Sequence, residues 1–194
     1  LENRSIVADH LGVSPDRITC GNQVHGLNAV RITEDLIGAG SMSSDTAISD
    51  CDAIYTDIPN VPLFLFTADC VPVGIYDPVH HVVATVHAGW RGVENGIAQK
   101  AIKQMAERVA FLSGFSEKEV LAHTNVYLGP YIHAECFETG EEVHRLFVEK
   151  YGEKCAFDQT HINLGAALRV QFERIGISSE RIADVDYCTV CNLS

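Results

Sequence analysis

A single domain built on a buried β-sheet with helices packed against it is what this sequence predicts, and three observations carry the prediction. Apolar runs of strand length crowd 53–86, bounded by turn residues such as Asp77-Pro78. The stretch 93–112 then repeats apolar side chains at Ile97, Ala101, Ile102, Met105 and Val109, the spacing of an amphipathic helix. A length of 194 residues suits one substantial core rather than two independent ones.

The elements follow in order. Residues 3–11 have helical spacing at Ile6, Val7, His10 and Leu11, closed by Gly12 and Pro15. Strands are expected at 18–23 and 28–33, either side of a turn at His25-Gly26. The small, polar stretch 38–49 reads as a flexible loop. Four strands are then expected at 53–56, 61–67, 71–76 and 81–86. The unbroken apolar character of 61–66 and 82–86 predicts strands covered on both faces, at the centre of the sheet. The amphipathic helix over 93–112 ends near Gly114. A strand at 125–128, helices at 140–150 and 163–175, and a last strand at 181–188 complete the chain. No internal repeat or low-complexity tract interrupts it.

Composition narrows the function. With 26 acidic against 14 basic side chains the net charge is −12, which opposes attraction to nucleic-acid backbones or anionic membranes and makes a small molecule the expected partner. No apolar run approaches the roughly 20 residues that cross a bilayer, and no signal sequence opens the chain, so a cytoplasmic location is expected. The seven cysteines, at 20, 51, 70, 136, 155, 188 and 191, are odd in number and scattered, the pattern of reduced, mostly buried thiols.

The chemistry concentrates in 67–92. Thr67-Ala68-Asp69-Cys70-Val71-Pro72 places a thiol at the edge of an apolar strand, and His87-Ala88-Gly89-Trp90-Arg91-Gly92 places an imidazole at the end of the strand that returns after Asp77-Pro78. If those strands run side by side, both side chains meet at one sheet edge. With His25, in Gln23-Val24-His25-Gly26, they form a one-thiolate, two-imidazole set; three protein ligands with a fourth position open is the ligand count of a catalytic rather than a structural zinc. Such an ion activates water or polarises a substrate group. Asp69 is the candidate proton carrier, or an orienting group instead, because neighbours on an extended strand point to opposite faces. Arg91 offers a fork for phosphate or carboxylate. Asp52 and Asp57 read as turn residues, and His80 and His81 as solvent-facing. Cys188-Thr189-Val190-Cys191 has no second CxxC and no thioredoxin-like surroundings, and reads as structural.

These motifs, together with Asp52-Ala53-Ile54-Tyr55-Thr56-Asp57 and Tyr76-Asp77-Pro78, resemble the YfiH/laccase-domain family, called polyphenol oxidase and associated with purine nucleoside phosphorylase activity. The resemblance continues through Gly129-Pro130, Ile132, Cys136-Phe137-Glu138, Gly140, Asn163-Leu164 and Cys188-Thr189, and so spans 1–194 as one YfiH-like, laccase-type domain. It implies an α+β fold of mixed β-sheets flanked by helices, with zinc held by His25, Cys70 and His87. It also implies cleavage of adenosine, inosine or guanosine by phosphate to base and ribose 1-phosphate, with adenosine deamination and methylthioadenosine phosphorolysis as companion activities. The family's Arg-containing segment before Leu1 and its C-terminal Phe-Ser-Tyr-Arg-Arg-like motif are expected to lie outside this sequence. His133 matches no fixed family residue.

Cys70, His87, Asp69 and Arg91 are thus the expected catalytic residues, and Gln23, Arg4 and Arg91 the expected contacts to nucleoside and phosphate. Three other readings compete. Copper-dependent phenol oxidation wants clustered histidines, whereas the chain has no His-x-His pair and only Met42 and Met105 as thioether ligands. A metal-free hydrolase would use His87 to activate Cys70. A zinc-stabilised binding module would do no chemistry.

Overall fold

The computed structural model describes residues 2–192. Its main sheet has six strands: β2 (Ala29–Arg31), β3 (Ala53–Thr56), β5 (Val71–Asp77), β6 (Val82–Ala88), β7 (Asn125–Leu128) and β8 (Ile182–Asp184), in the spatial order β2-β3-β6-β5-β7-β8. The outer pairs β2/β3 and β7/β8 are parallel and the inner ones antiparallel, a mixed sheet. Two short parallel strands, β1 (Thr19–Cys20) and β4 (Leu63–Phe64), form a separate ribbon. The helices are α1 (Glu2–Leu11), α2 (Trp90–Asn95), α3 (Ile97–Ser113), α4 (Glu117–His123), α5 (Glu141–Tyr151) and α6 (Leu164–Arg174). The fold is α+β, as expected.

The sheet buries one face fully. Val71, Val73 and Ile75 of β5, and Val82, Ala84, Val86 and Ala88 of β6, share a core with Ile97, Ala101, Ile102, Met105 and Val109 of α3 and Leu164, Ala167 and Leu168 of α6. Side chains alternate along a strand, so residues between these point the other way, and Val83 and Tyr127 there are exposed. Covering of 82–86 on both faces is therefore corrected: the strand is central but one-sided. The run 61–66 is not central at all. It is apolar because β4 pairs with β1, and because Val61, Leu63 and Leu65 pack with Ile32, Cys51 and Ile54 in a second cluster at the β2/β3 edge. Ala8 of α1 closes a third small cluster with Ile18, Cys20 and Phe64.

Helical turns begin earlier than the apolar period predicts. Trp90 opens α2, and Gly96, at φ +79°, takes a left-handed conformation that ends α2 and starts α3 in a new direction. The expected strand at 181–188 is regular only over β8, with Cys188 rejoining Tyr131 through an isolated bridge. One helix goes beyond the predicted elements: Ser116 and Glu119 form a reciprocal capping box that starts α4.

Candidate metal centre

Antiparallel pairing of β5 with β6 sets Val71 opposite Ala88 and Pro72 opposite His87, so the residue just before β5, Cys70, comes to the end of β6. His25 arrives from the loop between β1 and β2. The ligand atoms of His25, Cys70 and His87 all lie within 4.8 Å of one another, and the two imidazole rings meet edge to face with centroids 4.6 Å apart. His87 is buried, Cys70 half-buried and His25 exposed, so the cluster opens to solvent on the His25 side.

Asp52 assembles this arrangement. Its side chain is fully buried, yet it accepts four hydrogen bonds: from the backbone N–H groups of Val24 (3.1 Å), His25 (3.1 Å) and Gly26 (2.8 Å), and from His87 Nδ1 (2.7 Å). Three successive amides can converge on one carboxylate because the backbone turns sharply at His25, whose φ is +56°. The same residue's carbonyl accepts the His87 N–H at 2.8 Å. Burial works against the ionised Asp52, but the bonds from His87, Gly26 and Val24 outweigh it and hold the carboxyl below its usual pKa. One carboxylate thus fixes the loop that carries one imidazole and the tautomer of the other, leaving His87 Nε2 free as a ligand. Asp52 is not a turn residue, as the sequence suggested; its partners lie 26 to 35 positions away, beyond any local pattern.

Gly89 explains why the residue after Ala88 has no side chain. A methyl group there would sit 2.8 Å from His25 Nδ1 and 3.0 Å from Cys70 Sγ. Burial, then the charges of Asp69 and Asp52, push the Cys70 thiol pKa up. A cation between the three side chains opposes each of these effects, since a coordinating thiol is deprotonated outright. One soft sulfur and two imidazoles, one of them oriented by a buried carboxylate, fit a zinc-type ion with a position left for a further ligand.

The other predicted residues surround this cluster. Asp69 is in a bend, at φ +71°, not on a strand, so strand alternation does not decide where it points. Its Oδ1 accepts a 2.6 Å hydrogen bond from the Thr189 hydroxyl, and its carbonyl accepts from the Ile132 N–H. Gln23 pairs its side-chain amide with both backbone groups of Phe66, at 2.7 Å each, lacing the His25 loop to the segment that leads to Cys70. Arg4 donates to the carbonyls of Gly40 and Ser41 and lies over the Phe66 ring, 5.7 Å from its centroid. These bonds pin the 38–49 loop, as do those from Cys20 N–H to Ala39 and from Ile48 N–H to Cys20. Arg91, in the first turn of α2, is exposed and stacks on Trp90 with Cζ 4.4 Å from the ring centroid. His81 is exposed, but His80 is held at 2.6 Å by Asp77, a correction to its expected solvent-facing role.

Among the described residues no helix is long and apolar enough to cross a membrane. Comparison with known proteins gives the family and the fold. The family described as multi-copper polyphenol oxidoreductase laccase matches residues 1–194. A purine nucleoside phosphorylase of Bacteroides thetaiotaomicron is 30% identical over 96% of this chain and 69% of its own length. The adenosine deaminase RL5, from an unknown prokaryotic organism, is 28% identical over 98% of this chain and 72% of its own. The crystal structure of the Bacillus licheniformis hypothetical protein YfiH superposes with a TM-score of 0.85 at 29% identity, covering 98% of this chain and 71% of that one. With the match running from end to end and the fold shared, the chain belongs to the YfiH/laccase-domain family.

Proposed function

We propose that the protein is a zinc-dependent purine nucleoside phosphorylase, cleaving a nucleoside with phosphate to base and ribose 1-phosphate. The observation that carries the reading is the three-ligand Cys-His-His cluster, oriented by Asp52 and open on the His25 side, in a chain whose relatives include proteins named purine nucleoside phosphorylase. A divalent ion bound there supplies Lewis acidity, toward the purine or toward water. Phosphorolysis further requires that phosphate be held in line with the departing base and that charge developing on the sugar be stabilised. Arg91, two residues beyond Gly89 and stacked on Trp90, is assigned to phosphate; Arg4 lies over Phe66, the residue that Gln23 ties to the His25 loop, and is the second candidate contact. Asp69, hydrogen-bonded to Thr189 and adjacent to Cys70, is the proposed proton carrier. The opening beside His25 is where the nucleoside would enter.

A copper reading draws support from the family's description, and a Cys-His-His set is also a copper donor set. Such a copper site also takes a weak axial ligand, commonly a thioether. Met105 of α3, one of the two thioethers in the chain, is buried in the main core and so is not free to fill that position.

The test is a screen of adenosine, inosine, guanosine and methylthioadenosine, with and without phosphate, on protein loaded separately with zinc and copper. Base released only with phosphate and zinc supports the proposal. Inosine formed from adenosine without phosphate identifies deamination, the activity in the name of the RL5 relative. Phenol oxidation by the copper-loaded protein, with no nucleoside turnover in either form, overturns it.

A further inference from the structure

The fold brings the Cys188-x-x-Cys191 pair together with a second segment of metal-ligating side chains, 133–136, remote from it in sequence. The sulfur atoms of Cys136, Cys188 and Cys191 lie within 4.8 Å of one another, and all three cysteines are free. Ligand atoms of His133 and Glu135 fall within the same distance of Cys188 and of each other. We propose that Cys136, Cys188 and Cys191, with His133 in the fourth position, bind a structural zinc ion, separate from the site of His25, Cys70 and His87.

Three features of the cluster point to a metal. In a tetrahedral site with Zn–S bonds of about 2.3 Å, sulfur atoms stand about 3.8 Å apart, so the thiols are already gathered to within about 1 Å of that spacing. Cys188 Sγ, fully buried, accepts backbone N–H groups from His133 (3.4 Å) and Val190 (3.5 Å), and the Cys191 N–H approaches it as well. Amides aimed at a sulfur favour its anionic, metal-binding form. His133, finally, packs against Tyr131 beside Cys188, and its Nε2 is buried with no hydrogen-bond partner; completing the site requires the ring to turn toward Cys136 and Cys191 as well. Zinc would release the thiol protons to solvent with no change of oxidation state. Of His133 and Glu135, the imidazole is the common fourth ligand beside three thiolates.

The ion would tie together two segments that the backbone already joins. Tyr131 N–H donates to Tyr187, and Thr189 N–H donates to Tyr131. The knuckle between the two cysteines also carries Thr189, whose hydroxyl holds Asp69. Zinc here would therefore anchor the bend that precedes Cys70 without touching the reacting groups.

Metal analysis of the full chain, purified without a chelating tag and equilibrated with zinc chloride, should give two ions per chain. Cys191→Ser and Cys70→Ala should each give one, and the double variant none. Cys191 is exposed, so its replacement leaves the core intact. A wild-type value of one that Cys191→Ser leaves unchanged overturns the proposal. So does a thiol titration showing a disulfide within the trio of zinc-equilibrated protein. A second readout is independent of how the serine variant folds: Cys70→Ala protein loaded with Co²⁺ should show thiolate-to-metal charge-transfer absorption in the near ultraviolet, and its absence overturns the assignment.

Discussion

Asp52→Asn removes one charge and keeps the shape of the side chain that organises the candidate metal centre. The carboxylate offers two acceptor oxygens to four donors, whereas an amide offers one oxygen and an NH₂ group. With the oxygen turned toward His25 N–H and His87 Nδ1, the NH₂ faces the N–H groups of Val24 and Gly26 and leaves both unpaired. Turned the other way, the NH₂ donates to His87 Nδ1, and the ring proton moves to Nε2, taking away the lone pair that an ion needs. A lost buried hydrogen bond costs about 1–3 kcal/mol, and because Val24 is exposed and these bonds are only partly buried the lower end applies: about 2 kcal/mol for two amides. Separately, loss of a carboxylate partner to a ligating histidine lowers metal affinity about 10- to 100-fold, or roughly 1.4–2.7 kcal/mol. Asp52→Asn should therefore weaken zinc binding by about 10- to 100-fold while the core folds normally. Competition with a chromogenic chelator at neutral pH, alongside thermal unfolding of the metal-free protein, measures both. A folded variant that binds zinc within about twofold of wild type refutes the role assigned to Asp52.

Two further predictions concern geometry and pH. Gly89→Ala places a methyl group 2.8 Å from His25 Nδ1 and 3.0 Å from Cys70 Sγ, so it should lower zinc affinity by at least about tenfold, with a loss of stability in the range of about 1–3 kcal/mol for overpacking; unchanged metal content and affinity in the chelator assay would contradict the contact. Asp158, which accepts backbone N–H groups from Thr160 and His161, has its pKa held down to about 2. The folded pKa lies below the unfolded one of roughly 3.9, so the stabilisation is complete above that value and fades as pH falls through about 2. Urea unfolding should show the gap between wild type and Asp158→Asn closing over that interval, and a gap unchanged down to pH 2 would contradict it.

What could be read in the sequence was local. The strands at 53–56 and 125–128 are regular over the predicted residues, because compact β-branched and aromatic runs with polar boundaries leave little choice of register. His25, Cys70 and His87 stand together as expected, since a tight turn at Asp77-Pro78 makes β5 and β6 antiparallel neighbours. Asp52 was out of reach: an aspartate before a strand resembles any turn residue until the fold brings four donors to it. The run 61–66 misled for a related reason, since apolar character reports burial and not which sheet supplies it; the β1 ribbon does so here. The S-x-x-E spacing of Ser116 and Glu119 marks the start of a helix that the expected elements did not include. The CxxC at 188–191 lacked only a partner in the sequence, which 133–136 provides in space.

Base release from a purine nucleoside by the zinc-loaded full chain, with and without phosphate and with His25→Ala in parallel, tests the central claim most directly. His25 is exposed and its imidazole lies outside the core, so its replacement should leave the fold intact. The account predicts ribose 1-phosphate and free base from the wild type only when phosphate is present, and neither from a folded His25→Ala protein. Phosphate-independent products alone, or turnover in His25→Ala equal to that of the wild type, would contradict it.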